Sequence, residues 1–431
     1  MSKVVYLHAG RAATQLAVSD QPVARATRLL CTQYWRRQRM IETAGHRLNA
    51  LDVFDTSIVQ SLVIIKEHLL HDAIPLEGLL RLVRDVEGEI KQPSVTWFAS
   101  TCLGALMVQL SRAQEINFWP ECAQGFARFP AAIIDGLRFC FDATVGNALA
   151  DELQRPNSPW RQAELMGLPI ALGVARPAVS ERFAQIAASI AHDAPGGRAA
   201  LCEWRCTGTA GSVPKALASL NGEIPDADAA LYALALMDSD QELTAARAVL
   251  AQRPSLTALA VCAGRAPEVV HAELRAGQLS TLGAEPFFYL AALLGDWRTL
   301  LDQADSIDWS DENQCRALAD AVALVTGTVA DYLFDIPQPG EKRHARLLES
   351  AQSLALPPDT LLRLGQAKAS ALLEDSAAIV GAPLRHMLYV EYACNMQVPV
   401  FVDATDLAGV QSLALTTASA WERFLIERTK K

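Results

Sequence analysis

Three apolar decapeptides, each closed by an Asp or a Gly, recur between Asp226 and Gly327, and they constrain the fold more than any other feature. They are AALYALALMD (229–238), SLTALAVCAG (255–264) and PFFYLAALLG (286–295), with more polar helical segments between them. Their closing residues stand at 238, 264 and 295, steps of 26 and 31 residues. A period between about 20 and 50 residues belongs to stacked supersecondary units. Within the array, three sets of apolar positions follow i, i+3, i+4, i+7: Phe287, Leu290, Ala291, Leu294; then Trp297, Leu300, Leu301, Ala304; then Cys315, Leu318, Ala319, Val322. That is the stripe of a half-buried helix. No helix shelters its own stripe, so successive pairs must stack, as in an α-solenoid of HEAT-like helical hairpins or a curved helical layer.

The remainder of the chain reads as helix too. Hydrophobic residues make up 51% and charged residues 20%, which places the chain among folded proteins, and Ala and Leu outnumber the 6% of aromatics. That balance favours helices packed on helices. Leu51, Phe54, Ile58, Leu62 and Ile65 give a long helix from Leu48 to Leu70; Leu76, Leu79, Leu80 and Val83 give another; and Trp97 to Leu110 reads as a buried helix after the break at Pro93. Breaks at QRPNSPW (154–160) and DIPQPGEKRH (335–344) predict a less regular helical domain over 1–155, a repeat array over 160–335 and a helical cap over 341–431. Within the cap a helix is expected from Asp359 to Leu373, and Val398 to Val402 is the only β-like run. The fold class is all-α.

Charge and cysteines bound the function. A net charge of −10 argues against generic binding to a phosphate backbone. It fits solubility, or attraction of a basic partner. The exception is the N-terminal region, where Arg25, Arg28, Arg36, Arg37 and Arg39 surround Tyr34 and Trp35; this reads as a solvated helix face or, as the alternative, a nucleic-acid or anionic-lipid patch. Nine scattered cysteines, of which Cys202 and Cys206 are the closest pair, form no metal or redox motif and suggest a reducing cytoplasm. Val4 to Leu7 is too short for a signal-peptide core. No stretch is read as approaching the roughly 18 apolar residues of a membrane span. Neither membrane nor nucleic acid is therefore an expected partner.

Catalytic constellations are not evident. His68 and His71 share a helix face beside Glu67 and Asp72, but no third ligand cluster accompanies them, so no metal is assigned. LDVFDTS (51–57) resembles the aspartate loop of phosphotransferring hydrolases only superficially, because it lies inside a helical period. GTAGS (208–212) lacks both the strand of a nucleophile elbow and the Lys of a phosphate-binding loop. Asp52, Asp55, Asp135 and Asp142 form no defined carboxylate pair. The chain is read as a non-enzyme without a cofactor.

One resemblance adds to this reading. ADAVALVTG (319–327), a charged and Pro-containing interruption, and PLRHMLYVEYACNMQVPVFVDATDLAGVQSLAL (383–415) together resemble a bacterial family of HEAT-like repeat proteins without assigned enzymatic activity. Val325, Thr326 and Gly327 match the element that closes the family's repeats, and Pro399 to Val402 match its later Pro-Leu-Phe-Glu-Val segment loosely. The family's Arg-rich helix is replaced here by Arg385, His386, Tyr389 and Glu391, and its acidic insert is shortened. Because such proteins tend to be encoded near type VI secretion components, the resemblance implies a cytoplasmic immunity protein or an effector-handling adaptor.

The expected contact surface is the set of inter-helix turns. Asp238, Asp240, Asp296, Trp297, Asp308, Trp309, Asp311 and Glu312 fall at or near these turns and would line one edge of a stack as an acidic, Trp-bearing ridge. Each also fits an ordinary helix cap or a buried Trp. Three functions stay open: an immunity protein that blocks a secreted toxin, a basic nuclease above all; an adaptor or scaffold of secretion machinery; and a helical-repeat enzyme with His68, His71 or His386 beside carboxylates in a groove. Self-association is compatible with each.

Overall fold

The computed structural model describes residues 21–42, 47–71, 76–112, 118–156, 178–190, 224–236, 241–304, 306–328, 360–396 and 404–429, with isolated positions between them that include Trp160 and Arg343. Among the described residues the regular elements are helices apart from one two-stranded hairpin. The chain divides into two compact units, one of Met1–Arg39 with Asp52–Thr209, the other of Met40–Leu51 with Ala210–Lys431. Cys202, Cys206, GTAGS (208–212), Asp238, Asp240 and Val398 to Val402 lie outside the described residues.

The first unit holds α1 (Gln21–Glu42) up to Arg39, α2 (Leu48–Leu70) from Asp52, α3 (Leu76–Ile90), α4 (Pro93–Gln109), α5 (Phe118–Phe126), α6 (Pro130–Phe139), α7 (Ala143–Gln154) and α8 (Ser180–Ile190). Its centre is α4, buried without interruption from Val95 to Val108 and packed against α3, α5, α6 and α7. Pro93 and Pro130 open α4 and α6 at positions where a missing N–H costs nothing. Asp142 caps α7 by accepting from the Val145 N–H at 2.9 Å. The basic N-terminal cluster is split by packing. Tyr34 lies flat on Phe98, with ring centroids 3.6 Å apart, and Arg37 is wholly buried in an ion pair with Asp55 at 2.5 Å. Asp135 accepts from Gln38 at 2.6 Å, from Arg138 at 2.6 Å and from the Tyr34 hydroxyl at 3.3 Å. These acidic residues are thus structural partners of cations and amides, as buried charge requires.

The second unit alternates two kinds of helix. Apolar, deeply buried helices are α9 (Ile224–Leu236), α11 (Leu256–Arg265), α13 (Ala284–Leu294) and α15 (Glu312–Thr326). More polar ones, α10 (Glu242–Gln252), α12 (Pro267–Arg275) and α14 (Trp297–Ala304), stand between them. Each apolar helix packs on the next apolar one, α9 on α11, α11 on α13 and α13 on α15, and also on the polar helix that follows it. All four positions of the 287–294 stripe and of the 315–322 stripe are buried; in the middle stripe Leu300 and Ala304 are buried, while Trp297 and Leu301 are half-exposed. The unit is completed by α16 (Leu373–Ala378), α17 (Ala382–Met396) and α18 (Ala408–Thr429). Here α17 lies along α11 and touches α9 and α13 as well.

Two expectations are corrected. The segment expected as a helix from Asp359 to Leu373 instead contains a hairpin of β1 (Leu362–Arg363) and β2 (Gln366–Ala367), turned by Leu364 and Gly365, both at positive φ. That pair of angles suits a tight hairpin turn, and Gly reaches it without steric cost. The hairpin is held by helix ends: the Leu362 N–H donates to the Gly295 carbonyl at 3.0 Å, Leu364 to Leu324 at 2.7 Å, and Gly365 to Val325 at 2.8 Å. Carbonyls at the ends of α13 and α15 lack partners inside their helices, and here the hairpin, mainly through its turn, supplies them. Second, α2, a helix of 23 residues, is by length and composition alone long and apolar enough to cross a membrane, with an 18-residue window of mean hydropathy 1.4 of which 39% is buried in the fold. Asp52 and Asp55 near its start and Lys66 and Glu67 near its end disguise the run in sequence.

Candidate partner-binding ridge

The region from α12 to the start of α15 carries most of the residues expected on the ridge. Gly295 ends α13 in the left-handed conformation, and Asp296 follows at the N-terminus of α14. Its carboxylate accepts from His271 Nε2 at 2.7 Å, Arg275 Nε at 3.0 Å, the Thr299 hydroxyl at 2.8 Å and the Thr299 N–H at 3.2 Å. Burial acts to raise the Asp296 pKa, but the hydrogen bonds from Arg275, Thr299 and His271 outweigh it and hold the group below the usual carboxylate range. Asp296 is 2% exposed. Its expected place on an exposed ridge is therefore corrected: the turn directs the carboxylate inward, where α12 supplies cationic and imidazole donors.

The turn before α15 differs. Asp308 is exposed and accepts from the Ser310 hydroxyl at 2.6 Å and the Ser310 N–H at 2.9 Å; these two bonds lower its pKa. Asp311 is the N-cap of α15, accepting from the N–H groups of Asn313 at 2.9 Å and Gln314 at 3.3 Å. Glu312 is exposed and pairs with Arg316 one helical turn on. Trp309 is half-buried; its carbonyl accepts from Arg343 at 3.1 Å, and Trp297 is half-buried at the start of α14. The structure thus gathers Asp308, Trp309, Asp311 and Glu312 on one turn, with Asp311 occupied as a cap.

Beside this turn lies a cleft of about 490 Å³ between α12, α13 and α14. Leu274 and Phe287 give it apolar walls; Arg275, Arg298, Thr299, Asp302 and Gln303 give it polar ones; and Ser306, two residues before Asp308, stands at its edge. Arg275 reaches the cleft while its Nε is fixed by Asp296. Sequence reasoning missed His271, Arg275, Arg298 and Asp302. The signal was thin, since His271 and Arg275 are 25 and 21 residues from the carboxylate that organises them.

The histidines considered for chemistry are distributed. His68 Nδ1 is bonded to the Ile64 carbonyl oxygen at 2.8 Å, exposed His71 is 3.9 Å from Glu67, and His386 Nε2 meets the Thr257 hydroxyl at 2.9 Å. Among the described residues no group of three His, Cys, Asp or Glu side chains is placed to hold a metal ion. The seven described cysteines are free and buried, including Cys262 and Cys315 on apolar helix faces. Burial raises the Cys262 thiol to about 11, which keeps it protonated at neutral pH. No family model, curated protein or solved structure matches this chain.

Proposed function

We propose that this chain is an interaction protein: a HEAT-like α-solenoid that binds another protein at the ridge and cleft formed by α12, α13, α14 and the turn before α15. The observation that carries the reading is an acidic turn, with exposed Asp308 and Glu312, standing beside a cleft large enough to seat partner side chains. Supporting the solenoid assignment is the alternation of deeply buried and more polar helices at a repeating interval. The resemblance to repeat proteins of type VI secretion clusters makes the partner a cognate secreted toxin that the chain neutralises by direct binding in the cytoplasm. A net charge of −10 suits a basic nuclease, because complementary charge speeds encounter. The alternative is an adaptor or scaffold of the secretion machinery.

Co-expression with a candidate secreted toxin, chosen from the genes that neighbour this one, tests the reading. The expected result is a stable complex on gel filtration and survival of cells that otherwise die. Asp308→Asn with Glu312→Gln, which remove both charges while keeping an acceptor for Ser310, should weaken the complex at low salt with only a small change in melting temperature. Continued killing with no complex removes the immunity function, and recovery of machinery components in place of a toxin assigns the chain as an adaptor.

A further inference from the structure

We infer that the outer face of the α1 and α2 pair in the first unit is a docking surface for an anionic lipid bilayer. The two helices are locked together by the buried Arg37–Asp55 ion pair, and both turn an inner stripe into the same core: Leu30 and Tyr34 from α1, Ile58, Leu62 and Ile65 from α2. Each helix leaves its opposite stripe exposed. Eleven large hydrophobic side chains are exposed among the described residues, and seven belong to these two helices. On α2 they are Val53 (67%), Val63 (55%), Leu70 (55%), Val59 and Ile64; on α1 they are Leu29 and Trp35. So dense a set on one pair of helices marks an interaction surface.

Charge identifies the occupant. Arg25, Arg28, Arg36 and Arg39 are exposed on α1 at i, i+3, i+11 and i+14, one stripe about 21 Å long. Arg25, Arg28 and Arg36 border a groove of about 450 Å³ with Thr32 and Gln33, a setting for phosphate oxygens. Arg28 also meets Glu89 at 3.4 Å, an exposed pair that competes little with a ligand. Asp52 and Glu67 are the exposed acids of α2, against four exposed arginines on α1, of which Arg28 and Arg39 have partners within the fold. Exposed apolar side chains along α2, with exposed arginines and an exposed Trp on the helix ion-paired to it, fit the plane of a bilayer. A protein partner for such a helix would need a groove of its own. Because α2 buries its other side, it lies in the interface instead of spanning it. The acidity of the chain as a whole leaves this face as the side an anionic surface attracts.

Cosedimentation of the full chain with vesicles tests the inference. Vesicles of phosphatidylcholine with about one-third phosphatidylglycerol should carry the protein down, pure phosphatidylcholine should not, and added salt should release it. Arg25→Gln with Arg36→Gln should lower partitioning about 25-fold, from about fivefold for each cation near the surface. Val63→Ser should lower it severalfold by removing apolar area. Both changes are at exposed sites, so unchanged circular dichroism and melting temperature establish that the fold is kept. Equal sedimentation with neutral and anionic vesicles overturns the inference, as does a double variant that binds like the parent. So does a dimer that Val63→Glu converts to monomer while no vesicle binds, which would make the face a contact between two copies of this chain.

Discussion

His271 donates to the buried carboxylate of Asp296 at 2.7 Å, tying the polar helix α12 to the residue that precedes α14 across the end of α13. Arg275 and Thr299 complete the same carboxylate. Replacing Asp296 with Ala removes an N-terminal partner of α14 and strands three donors, so the expected loss is about 2 to 4 kcal/mol. Chemical denaturation measures it, and Asp296→Asn, which keeps an acceptor oxygen, should lose less.

The same carboxylate makes stability pH-dependent in one direction. Its folded pKa lies below the unfolded value of about 3.9, so the unfolded chain takes up the proton more readily. The contribution is complete well above pH 4 and disappears as pH falls through the folded pKa. In denaturation series at falling pH, Asp296→Asn should lack this part of the acid loss, and a difference between variant and parent that stays constant below pH 4 would refute the assignment.

Leu290 is fully buried in the face that α13 turns to its neighbours. Leu290→Ala should cost about 2 to 5 kcal/mol, from lost transfer free energy and an incompletely collapsed cavity. An unchanged melting temperature would contradict the packing of α13.

Gly295 has φ of 83°, and a Cβ built there would stand 2.6 Å from the Leu362 carbonyl oxygen. Gly295→Ala therefore combines a left-handed backbone with a backbone clash. It should lose more than about 1 kcal/mol, detectable as a lower melting temperature.

Glu391 is buried on α17 between Arg363 of the hairpin, at 2.8 Å, and Lys368, at 2.6 Å. Burial alone would raise its pKa; the two cations more than reverse this and keep it charged. Glu391→Leu leaves both cations without their shared anion and should cost about 3 kcal/mol or more in urea denaturation.

Local sequence was sufficient wherever a residue's environment followed from its near neighbours. The apolar spacing of Leu51, Ile58, Leu62 and Ile65 placed α2 at Leu48 to Leu70, and the stripes of α13 and α15 are buried as their periodicity requires. Helix formation depends on i to i+4 relations, so periodicity reads it directly. Tertiary structure decided the rest. The residues after Asp359 suggested a helix, yet Leu362, Leu364 and Gly365 bond to the free carbonyls of Gly295, Leu324 and Val325 and form a hairpin. Asp296 looked like a surface turn residue, yet α12 brings it His271 and Arg275. In both places the deciding hydrogen bonds join positions at least 21 residues apart, a separation that no local pattern encodes.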